Sequence, residues 1–107
     1  MDNNIWTAKK IITEEVLKAG YKVDRVILFG SRARGDFEEG SDYDFLVIID
    51  KKLSRDEDIE LTWHIQRRLA VYMASDIIIK SSQRILQEKD DKGLISYYAL
   101  KEGVYLG

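Results

Sequence analysis

The chain has 107 residues, enough for one domain, and is 45% hydrophobic and 34% charged. Seventeen basic against 19 acidic side chains leave a net charge of -2, which argues against a broad basic surface for nucleic acid. There is no cysteine and a single histidine, His64, which excludes disulfide frameworks, thiolate zinc sites, cysteine nucleophiles and polyhistidine metal sites. No apolar run approaches the ~20 residues of a membrane helix. The opening Met-Asp-Asn-Asn lacks the basic and apolar regions of a signal peptide, so a cytoplasmic protein is expected. A domain this small buries one modest core, so part of any substrate site is expected to come from a second protein or a second copy.

Taken in order, the chain reads as a single domain over 1–107, without repeats or linkers. Ile5, Ala8, Ile12, Val16 and Ala19 recur at helical spacing, and Gly20 follows as a C-cap. Val23 to Phe29 is rich in β-branched and apolar residues and reads as a strand whose last four residues are buried on both faces. A polar stretch with three glycines, Gly30 to Gly40, separates it from a second strand, Tyr43 to Ile49. The link is too short for a usual helical crossover, so the two strands are expected to pair antiparallel. Ser54-Arg55-Asp56-Glu57 is a capping box opening a helix with a buried stripe of Leu61, Ile65, Leu69 and Tyr72. Asp76 to Ile79 reads as a third strand, Ser82 to Lys89 and Leu94 to Lys101 as short helices, and Val104 to Leu106 as an edge strand. The expected fold is α/β, a small mixed sheet of three to four strands flanked by helices.

The chemistry concentrates in Leu28-Phe29-Gly30-Ser31-Arg32-Ala33-Arg34-Gly35 and Ser41-Asp42-Tyr43-Asp44. Asp42 and Asp44, two residues apart at a strand entry, project from one face. Like charges held that close repel unless a cation lies between them, and Mg²⁺ suits carboxylate oxygens. An isolated Asp-x-Asp is also a common solvated strand entry, so the neighbours matter. Gly30-Ser31, ending a buried strand and entering a short helix, offers free N–H groups, a hydroxyl and room for a phosphate, with Arg32 and Arg34 as candidate cationic donors. Asp76 opens another core strand and can bring a third carboxylate to the same sheet end, as in two-metal phosphoryl or nucleotidyl transfer. His64, Trp6 and Trp63 read as surface or packing residues, Glu88 to Lys92 as a solvated turn, and Leu94 to Leu100 as core or interface.

Gly30-Ser31, ten intervening residues and Asp42-x-Asp44 resemble the signature of the DNA polymerase β nucleotidyltransferase superfamily. Within it, Gly-Ser-Arg-Ala-Arg-Gly followed by Ser-Asp-x-Asp resembles the minimal nucleotidyltransferases. That resemblance implies a triphosphate-binding turn at Gly30 and Ser31, with Arg32 and Arg34 beside the nucleotide. It makes Asp42 and Asp44 ligands shared by two Mg²⁺ ions, and Asp76 the third carboxylate, on the catalytic metal and near the acceptor hydroxyl. The implied reaction moves AMP from ATP to a hydroxyl. The implied partner is a HEPN-domain toxin whose tyrosine accepts the AMP, the chain acting as antitoxin. Two rivals stay open: a non-catalytic binding module with a vestigial site, and a small-molecule adenylyltransferase. The helical domain that completes the substrate pocket in larger relatives has no counterpart in these residues.

Overall fold

The computed structural model describes residues 3–106. Alternation along each strand builds a two-sided core. In β1 (Val23–Phe29), Val26 and Leu28 turn to one face and Ile27 and Phe29 to the other, so all four are buried, as expected. In β2 (Tyr43–Ile49), Tyr43, Phe45, Val47 and Ile49 share the first face, and Leu46 and Ile48 the second. β3 (Ser75–Ser81) contributes Ile77 and Ile79 to the first face and Ile78 to the second. With the two-residue β4 (Val104–Tyr105), these form one sheet ordered β3-β2-β1-β4. β1 pairs antiparallel with β2 and β4, while β2 and β3 run parallel. The mixed sheet and the antiparallel first pair match the sequence expectation.

The larger core face is covered by α1 (Asn3–Lys18) and α3 (Arg55–Leu69) through Ile5, Ala8, Ile12 and Val16 of the first and Leu61, Ile65 and Leu69 of the second. Arg68 ties the two helices, donating to Glu15 at 2.7 Å and Glu14 at 2.8 Å. Both halves of the capping box form at the start of α3: Glu57 N–H donates to Ser54 Oγ at 3.2 Å, and Ser54 N–H to Glu57 Oε1 at 2.9 Å. Tyr72 departs from the expected stripe. A tight turn after α3, with both Tyr72 and Met73 N–H donating to Leu69 O, swings Tyr72 outward to 52% exposure and puts Met73 in the core. Trp6 and Trp63 are half exposed, Trp63 lying edge-on to His64. Among the described residues no helix is long and apolar enough to cross a membrane.

The second face is thinner, closed by Ile85 of α4 (Ser82–Glu88) and by Ala99 of α5 (Ile95–Glu102), with Leu100 packed against it. Glu88, expected in a solvated turn, is instead 5% exposed. Its carboxylate pairs with Arg84, with Lys80 Nζ at 2.5 Å and with Ser96 Oγ at 3.0 Å. A charge-run reading fails here because α5 folds back over α4 and encloses the end of the run.

The Arg84 contact and then Lys80 hold the Glu88 carboxyl well below the ordinary 4.5, at about 2. A depressed carboxyl stabilises the fold fully above its unfolded value and loses that contribution as pH falls through its folded one. Glu88→Ala should therefore lower the unfolding free energy by about 2 kcal/mol near neutrality, since Lys80 and Ser96 lose a buried acceptor. Chemical denaturation of parent and variant should show that gap closing between pH 4.5 and 2.

Candidate active site

Sheet register brings two of the three candidate aspartates together, and Asp42, just before β2, is near enough for its charge to act on Asp44. In the parallel β2–β3 ladder Asp44 lies directly across from Asp76, and in the antiparallel ladder Asp44 lies across from Phe29. Gly30 follows Phe29, so the end of β1 and the starts of β2 and β3 converge on one rim. Asp44 and Asp76 fall on the parity of the thinner face, beyond the cover of α4 and α5. Asp42 and Asp76 are exposed and Asp44 is half-buried.

Burial first, then the charges of Asp76 and Asp42, push the Asp44 carboxyl above the ordinary carboxylate range, with Arg34 acting in the opposite sense. The rim is thus a concentration of negative charge on hard oxygen donors. Among the described residues no three such side chains close into a cage able to hold a metal ion unaided. The donor set nevertheless suits Mg²⁺, which usually binds through one or two carboxylates and fills its shell with water and substrate phosphate.

Gly30 faces this rim with φ 73° and ψ -158°, a conformation essentially reserved for glycine. A Cβ built there would collide with the Asp44 carboxylate. The glycine therefore lets the β1 turn sit against Asp44. α2 (Ser31–Arg34) is a single turn capped by Gly30 at one end and by the left-handed Gly35 at the other. Ala33 and Arg34 N–H both donate to Gly30 O at 3.1 Å. The N–H groups of Ser31 and Arg32 precede the first intrahelical bonds, which leaves them without a partner inside the helix.

The two arginines of the motif diverge. Arg32 donates from Nε and Nη2 to Ser41 O at 3.2 and 3.1 Å, and its guanidinium packs 4.3 Å from the ring centres of both Phe37 and Tyr43. Arg34 is exposed, and its ion pair among the described residues is a 3.4 Å contact with Asp36, a surface pair of little energetic weight. Phe37 was not singled out by sequence reasoning, and no local signal there announces its contact with Arg32. His64 sits on α3 with Glu60 at 3.7 Å, away from the rim. One cavity, lined by Lys52, Leu53, Ser81 and Arg84, opens at the far ends of β2 and β3; another lies between α1 and α3, lined by Glu15, Tyr21, Glu57 and His64. The aspartates stand on an open shelf outside both.

Two relatives from Methanocaldococcus jannaschii, both provisionally named protein adenylyltransferases, share sequence with this chain. One is 64% identical over 28 residues, 26% of this chain and 28% of the relative, so the match spans under a third of that protein's length. The other is 38% identical over 71 residues, 64% of this chain and 69% of the relative. Among solved structures, a toxin–antitoxin crystal structure with AMP-PNP superposes with TM-score 0.62 at 18% identity, covering 92% of this chain and 72% of that one. A structure of tri-AMPylated Shewanella oneidensis HEPN toxin in complex with an MNT antitoxin gives TM-score 0.59 at 17% identity, covering 97% and 71%. At these identities the likeness is one of fold. The family model described as "Polymerase beta, Nucleotidyltransferase" matches residues 9–106, and with it the chain belongs to the polymerase β nucleotidyltransferase family.

Proposed function

We propose that this protein is a Mg²⁺-dependent nucleotidyltransferase that moves AMP from ATP to a protein hydroxyl, a tyrosine of a HEPN-type toxin for which it acts as cytoplasmic antitoxin. The observation that carries the reading is the meeting of Asp42, Asp44 and Asp76 on one rim beside the Gly30–Ser31 turn. The relatives named as protein adenylyltransferases and the solved toxin–antitoxin assemblies support the substrate class and the partner. The place of the aspartates on an open shelf, outside both cavities, also favours a hydroxyl presented by another protein.

Asp42 and Asp44 would hold both metal ions and Asp76 the one nearer the acceptor. Two Mg²⁺ ions bound there would offset the charge of the phosphates and lower the pKa of the attacking hydroxyl. Gly30 and the Ser31 N–H and hydroxyl orient the polyphosphate, and Arg34 supplies positive charge beside it. The acceptor oxygen attacks the α-phosphorus in line, the bond from that phosphorus to the bridging oxygen breaks, and pyrophosphate leaves. Asp76, exposed at the rim, takes the hydroxyl proton or passes it to water. Intact-mass analysis of a co-expressed HEPN partner after ATP and Mg²⁺ should show steps of one AMP. An unmodified but tightly bound partner would point to a purely binding antitoxin, and transfer to an aminoglycoside alone to a small-molecule enzyme.

Asp44→Asn removes the charge at the centre of the repulsion. It should abolish Mg²⁺-dependent ATP binding by calorimetry while raising the melting temperature of the ligand-free fold modestly at neutral pH, since solvent screens much of the repulsion. A raised carboxyl favours the fold when protonated, fully below its unfolded value, and that contribution is lost as pH rises through the folded one. The melting-temperature advantage of Asp44→Asn should therefore shrink on acidification.

Asp76→Asn separates binding from chemistry. ATP affinity should change little, whereas single-turnover transfer should fall by a factor on the order of 10² or more. Normal transfer would remove Asp76 from the mechanism, and equal losses in both would make it part of the ground-state site.

A further inference from the structure

We propose that Arg32 is a positioning residue for Asp42 rather than a ligand of the nucleotide: its guanidinium latches the Ser41 carbonyl and so aims the carboxylate of the next residue. The inference rests on the reading of Asp42 as a metal ligand, and its test separates the two.

The geometry is specific to an arginine. Two N–H groups along one edge of the guanidinium, Nε and Nη2, converge on Ser41 O at 3.2 and 3.1 Å. Phe37 and Tyr43 each hold a ring centre 4.3 Å from its central carbon, and cation–π attraction keeps the plane in register with that carbonyl. A group so engaged has exchanged its freedom to follow a phosphate for a fixed bond to the backbone. Arg34, exposed and loosely paired, keeps that freedom.

Ser41 is a hub. Its N–H donates to Glu38 O at 3.0 Å and its Oγ accepts from Glu38 N–H at 3.0 Å. With the carbonyl taken by Arg32, the N–H, the carbonyl and the hydroxyl of Ser41, the residue before Asp42, are all held. On the other side, Tyr43 N–H donates to Ala74 O at 3.0 Å. Asp42 thus hangs between two anchored peptides, one tied to α2 and the other to the turn before β3. Among the described residues no side-chain hydrogen bond steadies its exposed carboxylate, so the backbone, by placing its Cβ, sets which positions that carboxylate can reach. Removing the latch frees one of the two anchors.

Lysine keeps the positive charge but has neither the planar fork nor the stacking surface, so Arg32→Lys distinguishes a latch from a phosphate-binding cation. Three readouts are taken on the full chain: amide hydrogen exchange at Glu38 and Ser41, ATP binding without metal, and Mn²⁺ binding beside a non-hydrolysable ATP analogue. For Arg32→Lys, exchange at both amides should accelerate and Mn²⁺ affinity fall on the order of tenfold, the scale of losing a group that orients a metal ligand, while metal-free ATP affinity stays within about twofold. Phe37→Ala, which alters no charge and lies at a 45% exposed position, should reproduce part of the Mn²⁺ loss. The proposal is overturned if Arg32→Lys exchanges and binds Mn²⁺ like the parent, or if Arg32→Met loses metal-free ATP affinity that Arg32→Lys retains. A parent that binds neither ATP nor Mn²⁺ would refute the nucleotidyltransferase reading instead, and the exchange measurement would still decide whether Arg32 fastens the loop.

Discussion

The parallel register that sets Asp44 opposite Asp76 is the constraint around which this domain is arranged. Facing like charges on adjacent strands work against the pairing that brings them together. The pairing persists because the rows behind it are apolar: beyond the rim, Phe45 lies across from Ile77 and Val47 across from Ile79, all buried. Hydrophobic burial along β2 and β3 therefore holds a rim that electrostatics alone would open. The repulsion at this rim is therefore built in by the packing behind it rather than brought by a ligand.

Gly30 ties the third strand end to that constraint. The β1–β2 register carries Phe29 to Asp44, and the following residue has no room for a side chain against the carboxylate. Two independent limits meet at one position: a positive φ that disfavours other residues, and an approach so close that a Cβ would push the Asp44 carboxylate aside. A substitution at Gly30 would thus disturb the Asp44 shelf as well as any phosphate contact. It is a poorer probe of nucleotide binding than its place in the motif suggests.

What could be read from the sequence followed from local rules, and what could not depended on chain segments meeting. Strand alternation, the Ser54–Glu57 capping box and the short Gly30–Gly40 link are local, and from them came the elements, the α/β class and the antiparallel first pair. Asp42 and Asp44 could be singled out because an i, i+2 pair at a strand entry is a local signal, although β2 begins at Tyr43 and Asp42 stands just before it. Tyr72 was misplaced because helical periodicity was extended through a turn that begins at Leu69. Glu88 was misplaced because its burial comes from α5, whose Ser96 reaches back to it, and a run of charges carries no sign of that return. Phe37 escaped notice for the same reason, its contact with Arg32 existing only once the loop has folded.

The two arginines of one helical turn show why a motif's wording does not assign its roles. Arg32 and Arg34 are two residues apart on a helix, a spacing at which side chains do not share a face. One is therefore directed back onto the loop leading into β2, where aromatic rings and a carbonyl receive it, and the other outward beside Asp44, whose carboxyl responds to its charge. The same residue type answers two needs of one site. An acidic rim requires mobile positive charge to receive a polyphosphate, and it requires rigid backbone so that its carboxylates do not relieve their repulsion by turning away. On the proposed reading, Arg32 serves the second need through its plane and Arg34 the first through its charge, so that a four-residue helix between two strands would supply both.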